Sequence, residues 1–305
     1  MKLKSLFSLR KWIEFYLNKT NGKSLSDESF VKLRFYAAMG KKLDLDDPKT
    51  FNEKLQWLKL YNRKPEYTMM VDKYLVRDYI KEKLGEEYLI PLLGAWDDPD
   101  EIDFDALPDR FVLKCNHNSG TGMYICRDKS KMDVQKVKDG LRRGLAEDFF
   151  MRSREWPYKN VPRKIICEQY MEQKGSSDLT DYKFYCFNGE PKLLYVSIGL
   201  SNHDTAQIGY VDMDWKKLPV KRTDYADLTE MPSKPINFDK MVQFARALSK
   251  DIPFLRVDFY EINGKIYFGE LTFFPGSGLT VLEPKEWDET FGKWLNIAKT
   301  SAEKA

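Results

Sequence analysis

Three observations predict an α+β fold for this chain of 305 residues. Segments up to Gly85 carry apolar residues at helical spacing. Two Asn-Gly pairs, Asn188-Gly189 and Asn263-Gly264, each lie between β-prone runs, the strongest short signal for an antiparallel hairpin. No strand-helix-strand alternation of a parallel nucleotide-binding sheet intervenes.

Composition narrows the class. The chain is 42% hydrophobic and 14% aromatic, enough for a large core in one composite domain or two. Fifty Lys and Arg against 47 Asp and Glu leave a net charge of +3, which argues against a nucleic-acid partner. Cys115, Cys126, Cys167 and Cys186 occur singly in apolar contexts, the pattern of buried thiols rather than of disulfides or zinc. With only His117 and His203, histidine catalysis and a His-rich metal site are not expected. There is no apolar run of membrane-spanning length and no signal-peptide core, so a soluble, cytoplasmic protein is expected.

Residues 1–19 place Leu3, Leu6, Phe7, Ile13, Tyr16 and Leu17 on one helical stripe among lysines and arginines. Such a helix either lies on an anionic membrane surface, at the inner face, or covers its own domain, the commoner use. Helices are expected over 27–39, 51–60 and 69–84, the last carrying Asp72-Lys73-Tyr74. Residues 88–93 read as a strand and 97–105 as an acidic loop. A strand over 111–116 holds Lys114 and runs into His117-Asn118-Ser119-Gly120-Thr121-Gly122, with 123–126 returning. A small-residue loop of this kind leaves backbone N–H groups free to wrap phosphate, although glycine turns in hairpins are commonplace. Asp133 caps a helix to about Phe150; residues 163–170 form a strand bearing Glu168; 181–187 and 192–198 form the first Asn-Gly hairpin, with Lys183 on its first strand. Residues 206–211 read as a strand, 237–250 and 285–300 as helices.

The second Asn-Gly hairpin joins runs 254–261 and 265–270 and sets Asp258 and Glu270 roughly opposite each other in apolar company. Two such carboxylates repel unless a cation holds them, and Mg²⁺ suits a site with one or two carboxylates plus phosphate and water. The alternative is a solvated edge strand with Arg256 as cross-strand partner.

Read in order, Asp72-Lys73, F-V-L-K-C-N-H-N-S-G-T-G-M, I-I-C-E-Q-Y, R-V-D-F and G-E-L-T-F-F-P-G resemble the ATP-grasp superfamily, and within it the teichuronopeptide-synthesis (TupA-like) family. The resemblance spans residues 51–300. It implies two α+β subdomains whose antiparallel sheets clasp ATP, preceded by helices: an N-terminal helical region 1–66, a segment 67–110, a lid 111–198 and a metal-binding subdomain 199–305. It implies phosphate contacts from Lys73, Lys114 and the loop Ser119, Gly120, Thr121, Gly122, a nucleotide contact from Glu168, and a further one from Lys183. Asp258 and Glu270 match the Mg²⁺ ligands, and Arg256 the cation that steadies the transferred phosphoryl group. The family's Glu-x-Asn is here Glu270-Leu271-Thr272, so Thr272 stands at the third ligand and a second Mg²⁺ would be held through water or less tightly.

The activity implied is an ATP-dependent carboxylate–amine ligase working through an acyl phosphate, with backbone N–H groups at Gly276-Ser277-Gly278 as oxyanion donors. The partners implied are an acidic sugar or polysaccharide and an amine or amino acid, with Lys217, Lys221 and Arg222 as a basic stretch for the polymer. Two rivals remain: a sugar-nucleotide glycosyltransferase using Asp212-Met213-Asp214, and an ATP-binding relative without turnover.

Overall fold

The computed structural model describes residues 9–175, 178–199 and 206–297. Helix α1 (Leu9–Thr20) and α2 (Asp27–Met39) pack together through Ile13, Leu17, Phe30 and Phe35. Helix α1 therefore buries one stripe against its own domain, while Leu9, Trp12 and Phe15 stay exposed; Leu3, Leu6 and Phe7 lie outside the described residues. Ser26 caps α2 by accepting the Ser29 N–H, and Gly40 closes it in the left-handed region. Helix α3 (Phe51–Tyr61) starts with a capping box between Thr50 and Glu53.

The helix expected over 69–84 is two helices, α4 (Glu66–Val71) and α5 (Val76–Lys83). Asp72 breaks it: the buried carboxylate accepts the N–H groups of Tyr74 and Leu75 at 2.8 and 3.2 Å and the side-chain amide of Asn116 at 2.8 Å. A short polar side chain that captures local N–H groups competes with a continuous helix.

Strand β1 (Leu92–Trp96) begins later than the run 88–93 predicts. Residues Glu86–Tyr88 form a short 3₁₀ turn, and Pro91 has no N–H for a ladder. Next come β2 (Phe111–Cys115), β3 (Tyr124–Cys126), α6 (Val134–Ala146), α7 (Phe149–Ser153) and β4 (Ile165–Gln169). The helix expected to reach Phe150 divides because Asp148 caps a new one, accepting the Met151 N–H at 3.0 Å. Strands β1-β4-β2-β3 make one antiparallel sheet, whose apolar face packs on α6 through Phe111, Leu113, Val137 and Leu141.

The remaining elements are β5 (Asp181–Phe187), β6 (Glu190–Ile198), β7 (Gln207–Asp212), β8 (Lys221–Arg222), β9 (Ala226–Asp227), α8 (Phe238–Ser249), β10 (Phe254–Ile262), β11 (Lys265–Thr272), β12 (Leu282–Glu283) and α9 (Glu286–Trp294). They build a six-stranded sheet in the order β11-β10-β5-β6-β7-β9, antiparallel except for β7–β9, while β12 and β8 pair separately. The expected boundary at 198/199 therefore falls inside this sheet. Strands β5 and β6 belong with the 254–272 hairpin, because β5 pairs along its whole length with β10. Both Asn-Gly turns form as expected, with Asn188, Gly189, Asn263 and Gly264 all at positive φ.

The larger core lies around this sheet, with Phe51 in ring contact with Tyr185, Phe187, Phe254 and Phe291. Helices α3 and α9 close on it through Asp288, which accepts the Asn52 backbone N–H and side-chain amide at 2.9 and 3.0 Å. Gly292 permits this approach: a Cβ there would meet Lys49 O at 2.2 Å and the Thr50 backbone at 2.9 Å. Among the described residues no helix is long and apolar enough to cross a membrane. All four cysteines are buried free thiols, and burial pushes the Cys115 thiol up to about 11.

Two glycine substitutions should have opposite signs. Gly292→Ala is expected to destabilise by about 1–3 kcal/mol because the obstacle is backbone. Gly140→Ala, inside α6 with Arg143 Nη2 at 3.8 Å as the sole neighbour near a new Cβ, should stabilise by about 0.5–1 kcal/mol. Urea unfolding of both variants checks the pair; equal effects would refute the packing described at Gly292.

Candidate functional site

Alternation along two neighbouring strands builds the centre of the site. Asp181 and Lys183 share one face of β5, and Arg256 and Asp258 share one face of β10. The register sets Asp258 directly opposite Lys183. On the other side of β10 the ladder slips: Val257 pairs Leu271 but Phe259 pairs Phe268, so Asp258 faces both Gly269 and Glu270. At Gly269 an added Cβ would meet Asp258 O at 3.1 Å and Asp258 Cβ at 3.3 Å, so the bulge leaves little room for a side chain. In this way the hairpin brings Glu270 beside Asp258.

Arg256 holds the two carboxylates together. Its Nε and Nη2 donate to Asp258 Oδ1 and Oδ2 at 2.7 and 2.6 Å, and Nη2 also reaches Glu270 Oε1 at 2.6 Å. Lys183 Nζ donates to Asp258 Oδ2 at 2.7 Å and to Asp181 Oδ1 at 2.9 Å. Burial favours the neutral form of Lys183, but Asp258 and Asp181 outweigh it and hold the ammonium well above its ordinary range. Asp258 is 1% exposed, and both its oxygens are taken up by these cations. Glu270 is different. Thr272 Oγ1 donates to its Oε1 at 3.1 Å, and its side chain remains 44% exposed to the cavity. Desolvation pushes the Glu270 carboxyl up, but Arg256, Lys73 and Lys183 together bring it down to about 2.

These groups line a cavity of about 1540 Å³ that residues of both sheets share. Lys114 Nζ lies 2.6 Å from Glu168 Oε2, with Arg77 Nη1 3.3 Å from the other oxygen. Lys73, in the break between α4 and α5, donates to Asn118 O at 2.6 Å. Ser119 and Gly120 line the cavity, whereas Thr121 and Gly122 are not among the lining residues. Gly122 packs on α6 instead, where a Cβ would meet Cys115 Sγ and Gly144 Cα, each at 2.9 Å. Gly276 lines the cavity in the left-handed region, but the Ser277 N–H donates to Phe274 O at 2.8 Å. That amide is not available to an oxyanion. His117 is buried, with Nε2 3.1 Å from Glu147 O.

The basic stretch predicted for a polymer is neutralised locally: Lys217 and Lys221 both pair with Asp227, and Arg222 with Asp224. The Asp212-Met213-Asp214 motif is a turn in which Asp212 accepts the N–H groups of Asp214 and Lys216. Residues the sequence reading missed are Asp181, Arg77, Tyr158 and Glu155, all but Arg77 lining the cavity. The signal for Asp181 was its i, i+2 relation to Lys183 on one strand face; Glu155 sits in a turn and carried none.

Among the described residues no group of three or more His, Cys, Asp or Glu side chains gathers as a metal cage. Two hard carboxylates, one of them part-exposed, nevertheless fit Mg²⁺ bound through protein oxygens and substrate phosphates. Asp258 and Glu270 would hold it, and in the structure Thr272 is turned onto Glu270 as its support.

The chain thus has the α+β architecture of an antiparallel clasp around a charged cavity. It belongs to the TupA-like ATP-grasp family, whose sequence model matches residues 53–296. No curated protein gave a match. Solved structures to which the chain shows similarity include D-alanine–D-alanine ligase from Helicobacter pylori, with TM-score 0.43 and 14% identity over 81% of this chain and 69% of that one. The Bacillus anthracis D-alanine–D-alanine ligase complexed with ATP gives 0.40 and 15% over 67% and 55%. The ATP-grasp ligase PsnB, complexed with a phosphomimetic variant of its minimal precursor, Mg and ADP, gives 0.42 and 9% over 93% and 73%.

The low Glu270 pKa has a testable sign. Lowered from 4.5 to about 2 in the fold, the carboxylate contributes stability that is complete above about pH 4.5 and lost as pH falls towards 2. The stability gap between the wild type and Glu270→Gln should be constant from neutral pH to about pH 5 and shrink below it. Denaturant titrations across that range measure it; a gap unchanged near pH 2 would refute the Arg256–Glu270 coupling.

Proposed function

We propose that this protein is an ATP- and Mg²⁺-dependent ligase that joins a carboxylate to an amine through an acyl phosphate. The observation that carries the reading is the Arg256–Asp258–Glu270 arrangement, backed by Lys183 and sharing one cavity with Lys73, Lys114 and Glu168. Phosphoryl transfer asks for positioning and charge neutralisation rather than for a protein nucleophile. Lys73, Lys114 and the Ser119–Gly120 backbone would meet ATP phosphates, and Arg256 the transferred group. When bound on Asp258 and Glu270, Mg²⁺ supplies charge neutralisation at the phosphates. The acceptor carboxylate oxygen attacks the γ-phosphorus and ADP leaves. An amine nitrogen then attacks the acyl carbon, the C–O bond to phosphate breaks, and an amide results.

The cavity exceeds the roughly 300–1,000 Å³ of a small-ligand pocket, which leaves room for an acceptor beside a nucleotide. For the acceptor we propose a sugar-borne acid of a surface polysaccharide, such as a uronic acid. With Lys217 and Lys221 neutralised, support for an anion comes from Lys23 and Arg34 along the cavity wall. A membrane contact through residues 1–19 fits the exposed Leu9, Trp12 and Phe15 and an acceptor on a lipid carrier.

Lys114→Ala should weaken MgATP-induced thermal stabilisation by about 1–3 kcal/mol, the scale of a charge-assisted hydrogen bond. The apo fold should persist, since Arg77 still pairs with Glu168. An unchanged ATP shift would remove Lys114 from the site. For turnover, ADP release should require a uronic acid oligomer and an amine together; equal release with a free amino-acid pair would defeat the polysaccharide assignment.

A further inference from the structure

The N-terminal helices supply one wall of the cavity. Asn18 from α1, Asn21 and Lys23 from the turn after it, and Arg34 from α2 all line it. All four precede residue 53, where the family match begins. A buried cation fixes this wall. Arg154, 1% exposed, donates to Asn21 O and Gly22 O at 3.2 and 3.0 Å, and its guanidinium carbon lies 4.2 Å from the Phe30 ring centroid. Asp27, at the start of α2, lies 3.2 Å from Arg154 Nε and accepts from Arg63 Nη2 at 2.7 Å. The wall is tied to the loop after β11 through α7 and α3. Ser153 O, next to Arg154, accepts from Lys59 Nζ at 3.3 Å, and that ammonium donates to Ser277 O at 2.7 Å.

Arg34 Nη1 donates to Asn18 Oδ1 at 2.8 Å, the one hydrogen bond its guanidinium makes among the described residues. Among the same residues neither Arg34 nor Lys23 forms an ion pair. The acids of α7 and its approach are engaged, Glu147 by Arg152 at 3.0 Å and Asp148 by the Met151 N–H at 3.0 Å. Glu14 acts on Arg34 from a distance and Arg152 opposes it; Glu14 is exposed, where water and salt screen its charge. A guanidinium with free N–H groups at a cavity wall suits a carboxylate, which it can hold through two parallel hydrogen bonds. That carboxylate is not the one that reacts. The reacting group must lie beside Arg256 and the γ-phosphate. Among the described residues no hydrogen bond or ion pair links Arg34 to Arg256, Lys183, Asp258 or Glu270. We propose that Arg34, assisted by Asn18 and Lys23, binds a second carboxylate of the acceptor, so that the acceptor is a polyacid rather than a single acid. This deepens the ligase reading and rests on it: Arg256 serves the unit that reacts, and Arg34 a further acidic unit of the same molecule.

Isothermal titration calorimetry of the full chain, with MgADP present, compares trigalacturonate, galacturonate and the neutral trisaccharide maltotriose. Trigalacturonate should bind about ten-fold or more tightly than galacturonate, the scale of one charge-assisted contact, and maltotriose should bind more weakly than either. Arg34→Gln keeps the stem and removes the charge. It should abolish the advantage of the triacid while leaving the affinity for galacturonate unchanged, and Arg34→Lys should restore part of that advantage. Should Arg34→Gln not fold, Arg34→Lys carries the test, with a reduced advantage expected because the two-pronged geometry is lost. A merely structural role, such as holding Asn18, would leave the ratio of the two affinities unmoved. Equal affinities for monoacid and triacid, binding of maltotriose as tight as that of the triacid, no binding at all, or an unchanged ratio in the Arg34 variant overturn the assignment. Thermal stabilisation by MgATP, measured on the same wild-type sample, separates the two readings. A MgATP shift without a triacid advantage sinks the second-carboxylate site alone, and a triacid advantage without a MgATP shift sinks the nucleotide reading.

Discussion

The interaction on which the site depends is the guanidinium of Arg256 lying against two carboxylates at once. Three acids (Asp181, Asp258, Glu270) meet two cations (Lys183, Arg256) in this cluster, which leaves one negative charge uncompensated within it. Removing one partner of such a buried group strands the others without water, at a cost of about 3–5 kcal/mol. The geometry follows from backbone register. Asp258 faces Lys183 across one ladder, and the slip at Gly269 brings Glu270 to its other side. A hairpin without that bulge would place Glu270 elsewhere, so a single irregularity in β11 decides whether the carboxylates can share a cation.

The surplus negative charge is matched by the cations on other elements that face the same cavity. Lys73 is held in the helix break that Asp72 creates, and it contributes to lowering Glu270. Lys114 belongs to the other sheet and is kept in place by Glu168, itself gripped by Arg77. Each sheet has its own apolar core. The cavity therefore concentrates the charged side chains where the two layers leave polar surface, the arrangement that focuses field on a polyanionic ligand.

Much of this was legible because strand periodicity is short-ranged. R-x-D on β10 and the Asn-Gly turns fix faces and turns from a few neighbouring residues, so Arg256, Asp258 and Glu270 were found together. What was not legible depends on distant partners. The breaks at Asp72 and Asp148 come from carboxylates that prefer local N–H groups over helix continuation, and in the first case from Asn116, 44 residues away. The membership of β5 and β6 in the six-stranded sheet is set by β10, and the two-residue strands β8, β9 and β12 exist only through their neighbours. Thr121 and Gly122 read as phosphate loop but serve the close approach to Gly144. Glu155 was invisible because nothing within its own turn marks it as buried.

Helix α3 explains how the far end of the site is kept in shape. Residues 276–278 are three successive left-handed residues, and the middle one is Ser277, for which that conformation is unfavourable. Such a segment persists only where its surroundings over-determine it. Gln56 supplies part of that constraint by donating to Ser277 O and Gly278 O at 3.0 and 2.7 Å, and Lys59 supplies more through Ser277 O and Oγ. Asn52, one turn earlier, fixes the same segment through Thr280 O at 2.9 Å. Three polar side chains on one buried helix face are a poor choice for stability alone, since apolar residues of similar volume would pack as well without the desolvation cost. Their spacing at 52, 56 and 59 follows the helical repeat, so one face of α3 acts as a template for the loop after β11. The loop in turn presents Gly276 and Ser277 to the cavity. The polar face of α3 is thus explained by the site it shapes rather than by the core it lies in.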